Sequence, residues 1–217
     1  MELTMSDMSD TSDALIQLAA RGDESALAQL FATYRSRLRR MVQIRLDRRL
    51  QGRVDPSDVL QDAYLDLTRE LPNYSTDARV PFFLWLRLVT GQRLMRLHRE
   101  HLGVQARSVS KEVSLFSGPM PAVSSVSLAA QLAGKFTSAS KSLARAEVQV
   151  ELQQALNQMD ETDREVITLR NFEELTNGET ASVLGLTESA TSKRYVRALA
   201  RLQKSLQHLP SIKDWQN

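Results

Sequence analysis

The chain holds 217 residues, 42% of them hydrophobic and 25% charged, which is enough for one large or two small domains and too apolar for wholesale disorder. The absence of cysteine excludes a disulfide framework, a thiolate zinc site and a cysteine nucleophile, and eight glycines with six prolines disfavour turn-rich β architectures, so an all-α chain is expected. The net charge of +2 conceals segregation along the chain, and 22 of the 28 basic residues are arginine, whose planar fork suits phosphates and base edges.

Residues 1–30 carry six acids against one base, and their start, MELTMSDMSDTSD, is acidic rather than basic and then apolar. Neither an export signal nor a spanning helix is expected, and the cytoplasm is the default location. Residues 1–12 are expected to be disordered. Helical periodicity then places elements near 13–21, 24–50, 56–71 and 81–101, the first pair divided by Gly22-Asp23. Between Arg35 and Arg53 stand eight arginines against one aspartate. Asp55-Pro56 reads as a helix cap followed by proline at the first helical position.

In the third helix Asp55, Asp58, Asp62 and Asp66 are spaced 3, 4 and 4, which makes one acidic stripe. Val59, Ala63, Leu67 and Leu71 run beside it as an apolar stripe. A carboxylate ridge beside exposed apolar residues suits docking onto a basic protein helix, the alternative being a solvated face on a bundle. The fourth helix opens with Phe82, Phe83 and Trp85 and continues with Arg87, Arg93, Arg96 and Arg99. Aromatics beside arginines can stack on unpaired bases while the guanidinium groups hold phosphates. Trp85 reads as core, whereas Phe82 and the loop 73–80 read as contacts to nucleic acid.

Residues 103–143 are rich in Ser, Ala and Gly, hold two prolines and lack sustained amphipathic period, so a flexible linker is expected, with one short helix near 126–133. The last helical part, 144–208, reads as a helix-turn-helix. Asp160 caps a helix from Glu161 to Phe172, Thr176 and Glu179 form a capping box, and that short helix runs to Leu184. Gly185 supplies the turn, Ala181 allows close crossing, and Thr187 caps a final helix 188–206. Its inward stripe is Tyr195, Ala198, Leu199 and Leu202. Glu188 opens the helix, and Ser189, Ser192, Lys193, Arg194 and Arg197 face outward, as a major-groove reader requires. Thr191 stands where this motif carries Val or Ile, so looser packing is expected there. Residues 209–217 read as a tail.

Both helical parts resemble bacterial RNA polymerase sigma factors of the extracytoplasmic-function type. The first match runs from ALIQLAARGDESALAQLFATYRSRLRR through DPSDVLQDAYLDLTREL to FFLWLRLVTGQRLMRLHRE. The second is LNQMDETDREVITLRNFEELTNGETASVLGLTESATSKRYVRALARL, and together they span about 140 of 217 residues. The phrase NFEELTNGETASVLGL further resembles a branch common in planctomycetes. The resemblance implies a four-helix sigma domain 2 at 13–102 and a helix-turn-helix sigma domain 4 at 144–208. It implies polymerase docking by Asp55, Asp58, Val59, Gln61, Asp62, Tyr64 and Asp66. Recognition and melting of the minus-ten element would fall to Asn73, Arg79, Phe82, Arg87, Arg93, Arg96 and Arg99. Recognition of the minus-thirty-five element would fall to Glu188, Ser189, Ser192, Lys193, Arg194 and Arg197. Core polymerase and promoter DNA are the implied partners, an anti-sigma factor is admitted, and no cofactor, metal or membrane is implied. The linker is longer than this group usually has.

Two other readings compete. A free-standing helix-turn-helix regulator explains 160–206 but leaves the acidic stripe and the aromatic-arginine helix without a role. A metal-dependent nuclease would rest on His98 and His101, with only Glu100 nearby, whereas metal sites want three or four convergent ligands. No enzyme is expected.

Overall fold

The computed structural model describes residues 5–74, 81–102, 120–136 and 142–207. These form two compact units, Met1–Pro121 and Ala122–Asn217, and among the described residues every named element is a helix. The first unit holds α1 (Met5–Ala20), α2 (Glu24–Arg45), α3 (Pro56–Tyr74) and α4 (Phe82–Leu102). The second holds α5 (Ser125–Phe136), α6 (Ser142–Asn157), α7 (Glu161–Asn171), α8 (Asn177–Leu184) and α9 (Glu188–Leu206). The all-α expectation holds.

In the first unit the helix α1 begins at Met5, where the sequence reading expects disorder to residue 12. No glycine or proline stands between Met5 and Ala20, so nothing interrupts propagation toward the N-terminus. Gly22 at φ 93 turns the chain, and the Asp23 carboxylate accepts from the Ala26 N–H at 3.0 Å to start α2. That helix stops at Arg45 rather than continuing to 50. Leu46 becomes extended because it and Leu50 turn inward, and both are buried. The connection folds tightly: the Asp47 carbonyl accepts from Leu50 and Gln51, and the Leu50 carbonyl accepts from Arg53 and Val54. Val59, Ala63, Leu67 and Leu71 of α3 pack into the core, each leucine stabilising by about 1.5–3 kcal/mol. These residues are not an exposed stripe beside the carboxylates.

Residues 120–136 correct the expected linker. The buried Arg45 donates to the Pro121 carbonyl at 2.9 Å, and Gly91 of α4 leaves a notch that the Met120 thioether fills. Leu128, Ala129, Leu132 and Ala133 give α5 an apolar face that is buried, and Gly134 lets the Arg145 guanidinium of α6 lie against it. Small residues lowered the apparent apolarity of this stretch, yet they permit close helix packing. The rest of 103–143, from 103 to 119 and from 137 to 141, lies outside the described residues, as do the tail 209–217 and residues 1–4.

His98 of α4 ties the α2–α3 connection down, its Nε2 accepting from the Asp47 N–H at 3.3 Å. Burial pushes its pKa down, against the opposing pull of Asp47. A histidine depressed in the folded state binds fewer protons there than when unfolded. Its contribution is therefore complete above its ordinary range near 6.5 and is lost as pH falls below it. Thermal unfolding followed from about pH 7.5 to about pH 5.5 should show falling stability of the first unit, with a shallower dependence in His98→Gln. Equal pH dependence in parent and variant would contradict this.

Candidate functional site

The second unit presents the helix-turn-helix. Asp160 Oδ1 accepts from the Asp163 N–H at 2.8 Å, and Thr176 and Glu179 form the expected reciprocal capping box. Gly185 takes φ 64, a left-handed turn that costs other residues more, and Thr187 caps α9 by accepting from Ala190. Thr191, Ala198, Leu202 and Leu206 are the buried residues of α9. Thr191 is fully buried and its hydroxyl donates to the Thr187 carbonyl at 3.0 Å, so the looser packing expected there is absent. Tyr195 is half-buried, donating to Asn171 Oδ1 at 3.1 Å. Leu199 is exposed, contrary to expectation, because the buried positions 191, 198 and 202 leave it on the rim.

Ser189, Ser192, Lys193 and Arg197 face solvent as expected, and so does Glu188, whose carbonyl accepts from the Asn177 side chain at 3.0 Å. Arg194 does not stand free. Its Nη1 donates to Asp163 Oδ1 at 2.7 Å and to Asp160 Oδ2 at 3.1 Å. Arg201 donates to Asp163 Oδ2 at 3.3 Å, so the Asp163 side chain, 8% exposed, joins two arginines of α9 to the start of α7. The hydrogen bond that Arg194 donates to Asp163 does most to raise the Arg194 pKa, and the Asp163 N–H does most to hold the Asp160 carboxyl low. Two carboxylates offset the Arg194 charge, which makes it a clamp on α9. The sequence reading missed Val196, 64% exposed between Lys193 and Arg197, where the three side chains and Ser192 line a shallow groove. An apolar residue in an otherwise polar outward face was the available signal.

In the first unit α3 divides the residues expected to dock a protein. Val59 is 0% exposed and belongs to the core. Asp62 receives Arg93 at 2.5 Å, and Asp66 receives Arg96. Two carboxylates of the acidic stripe and two arginines expected to contact DNA thus face each other across α3 and α4. Asp55 is exposed and takes the Ser57 N–H at 2.7 Å, while Tyr64 is half-buried with its ring edge-on to Phe31 at 5.1 Å. Asp58 and Gln61 remain exposed, and one turn further stands Leu65, 52% exposed, which the reading missed.

On α4 the aromatic expectation reverses. Phe82 is only 6% exposed, its ring 5.4 Å from Tyr74, 5.7 Å from Trp85 and 6.1 Å from Tyr34. Trp85 is half-buried and the more accessible of the two. Helices α2 and α3 each supply a tyrosine to close over Phe82, a long-range arrangement that periodicity within α4 does not reveal. Arg87 is buried, and Arg99 is exposed. Arg79 and the side chain of Asn73 lie outside the described residues. Among the described residues no group of three or more His, Asp or Glu side chains could hold a metal ion. No helix among them is long and apolar enough to cross a membrane.

Comparison with known proteins adds sequence and fold likeness to this geometry. Residues 149–202 match the family model for Sigma-70, region 4, which spans α7, α8 and most of α9. The RNA polymerase sigma-H factor of Pseudomonas aeruginosa is 23% identical over 201 residues, covering 90% of this chain and 93% of that protein. Among solved structures, CnrH in complex with the cytosolic domain of CnrY is similar with a TM-score of 0.52 and 23% identity, over 90% of this chain and 97% of that one. The sigma factor RpoE in complex with the anti-sigma factor NepR from Bartonella quintana matches at a TM-score of 0.41 and 16% identity, over 83% and 96%. Residues 149–202 of the second unit thus match Sigma-70, region 4, in a chain similar to a sigma factor over nine-tenths of its length.

Proposed function

We propose that the chain is a sigma factor of the extracytoplasmic-function type, which binds RNA polymerase core and directs promoter-specific initiation. The observation that carries this is the α8–Gly185–α9 unit, whose outward face of Ser189, Ser192, Lys193, Val196 and Arg197 lies within the region 4 match. Such a face can enter a major groove, with Arg197 suited to guanine, Val196 to a thymine methyl group, and the serines to either base edge or phosphate. Polymerase catalyses the reaction, so this chain needs no catalytic constellation. The reading places it in the cytoplasm with the polymerase. It includes an anti-sigma factor as a further protein partner, in line with the CnrH structure, which holds a second protein. The NFEELTNGETASVLGL phrase supports the planctomycete branch.

On α3 the face that serves core docking is Asp58, Gln61 and Leu65, with Tyr64 beside it. Asp62 and Asp66 act from the rim, each already joined to an arginine. An apolar residue flanked by a free carboxylate and an amide matches the composition of protein interfaces better than charge alone. On α4 the reading keeps Arg99 and the accessible Trp85 for the promoter's opened strand, in place of Phe82.

Asp58→Lys and Leu65→Ala should each weaken binding of core polymerase, the charge reversal by about tenfold or more, while duplex binding through α9 persists. Unchanged core affinity in a fluorescence titration would remove this face from the account. Arg197→Ala should cost about 1–3 kcal/mol of promoter affinity and relax preference at one base pair. Arg194→Ala should instead lower the melting temperature of the second unit, because Asp163 keeps only Arg201. Loss of base preference in Arg194→Ala with unaltered melting would reverse the two roles.

A further inference from the structure

The arginine-rich segment 35–53 has no part in the function proposed above, and the structure sorts seven of its eight guanidinium groups. Arg45 is buried and holds Pro121. Arg37 stacks over the Phe83 ring at 3.6 Å. Arg49 closes bidentate on Asp47, with Nε and Nη2 each 3.0 Å from a carboxylate oxygen. That pair draws the Asp47 pKa down to about 2, so its charge is fully committed. Arg35, Arg39, Arg48 and Arg53 are exposed, and none of them makes an ion pair with a described residue.

Three of the four converge. Arg35 and Arg39 are one turn apart on α2, about 6 Å along its axis. Neither pairs with Asp55, but both act on it through space: behind the dominant hydrogen bond from Ser57, the Arg39 and Arg35 charges help hold its carboxyl low. Arg53 stands two residues before Asp55, at the end of the tight connection that also exposes Arg48. The Asp55 carboxylate is itself occupied by the Ser57 N–H.

We propose that Arg35, Arg39 and Arg53, with Arg48 at the margin, form a second DNA-binding surface that grips the phosphates of duplex DNA without reading sequence. Duplex DNA presents one charge per about 1.7 Å of axis, so the span from Arg35 to Arg39 meets several phosphates. The neighbours are the small or polar Ser36, Gln43, Gln51 and Gly52, all exposed. None of the large exposed apolar side chains of the described residues, which are Leu18, Leu65, Val150, Val196 and Leu199, falls in this segment. A protein partner would want an apolar centre, and an opened strand would want an exposed aromatic for stacking. The phosphate backbone needs neither.

The surface is tested with the full-length chain and a 30-base-pair duplex without a promoter, its binding measured by anisotropy at several salt concentrations. Each arginine lost should flatten the plot of log affinity against log salt by about 0.9, so Arg35→Gln/Arg39→Gln/Arg53→Gln together should remove about 2 to 3 units of slope. The corresponding triple lysine variant should retain the slope, and the single glutamine variants should each show their share. Combining the triple with Lys193→Gln/Arg197→Gln should add the two losses, since they belong to different units. An unchanged slope in the glutamine triple overturns the proposal. So does an equal loss in the lysine triple, which would mean charge is not the cause. Lost affinity for core polymerase with an intact DNA slope also overturns it, assigning the face to an acidic protein instead. Because no arm but the last needs polymerase, failure here is distinguishable from failure of the initiation reading.

Discussion

Val59, Ala63, Leu67 and Leu71 form one continuous buried stripe, and that stripe fixes how α3 is rotated about its axis. Once the rotation is set, Asp62 and Asp66 can only lie at the rim, where Arg93 and Arg96 of α4 meet them. Asp58, Gln61 and Leu65 are turned fully outward by the same rotation. The ion pairs themselves add little, since partly exposed pairs contribute about 0–1 kcal/mol each. Burial of the leucines is several times larger, so packing decides the geometry and the charges follow it. What the ion pairs do decide is which charges remain available to a partner.

The same arithmetic of committed and free charge governs the second unit. Asp163 is nearly buried and engages two arginines of α9, while Asp160 caps α7 and shares Arg194. Removing a partner from a buried carboxylate costs more than the pair contributes, which makes this cluster a strict constraint on where α9 lies. Lys193, Val196 and Arg197 are then carried outward on a helix whose rotation and distance are both fixed. A rigidly held helix gives a groove-reading residue its precision; a loop would not.

Local signals were legible in the chain and long-range ones were not. Asp160, the Thr176–Glu179 box, Gly185 and Thr187 each act within four residues, and the sequence places all of them where they are found. The third helix begins at Pro56 and the fourth at Phe82, as punctuation by proline implies. The Asp62–Arg93 and Asp66–Arg96 pairs span some thirty residues, and no spacing rule links α3 to α4. Phe82 looks accessible from its own helix alone because its cover, Tyr34 and Tyr74, comes from other helices. The short helix near 126–133 was anticipated, but its burial was not, since Ala and Gly contribute contact by closeness rather than by bulk.

Run-off transcription on fragments of genomic DNA, with core polymerase alone and with core plus this chain, tests the central claim most directly. The account predicts discrete start sites that appear only when the chain is present, with unpaired thymines detected by permanganate just upstream. A chain that binds duplex DNA yet yields no chain-dependent transcript with core polymerase would contradict it, and would favour a helix-turn-helix regulator acting without polymerase.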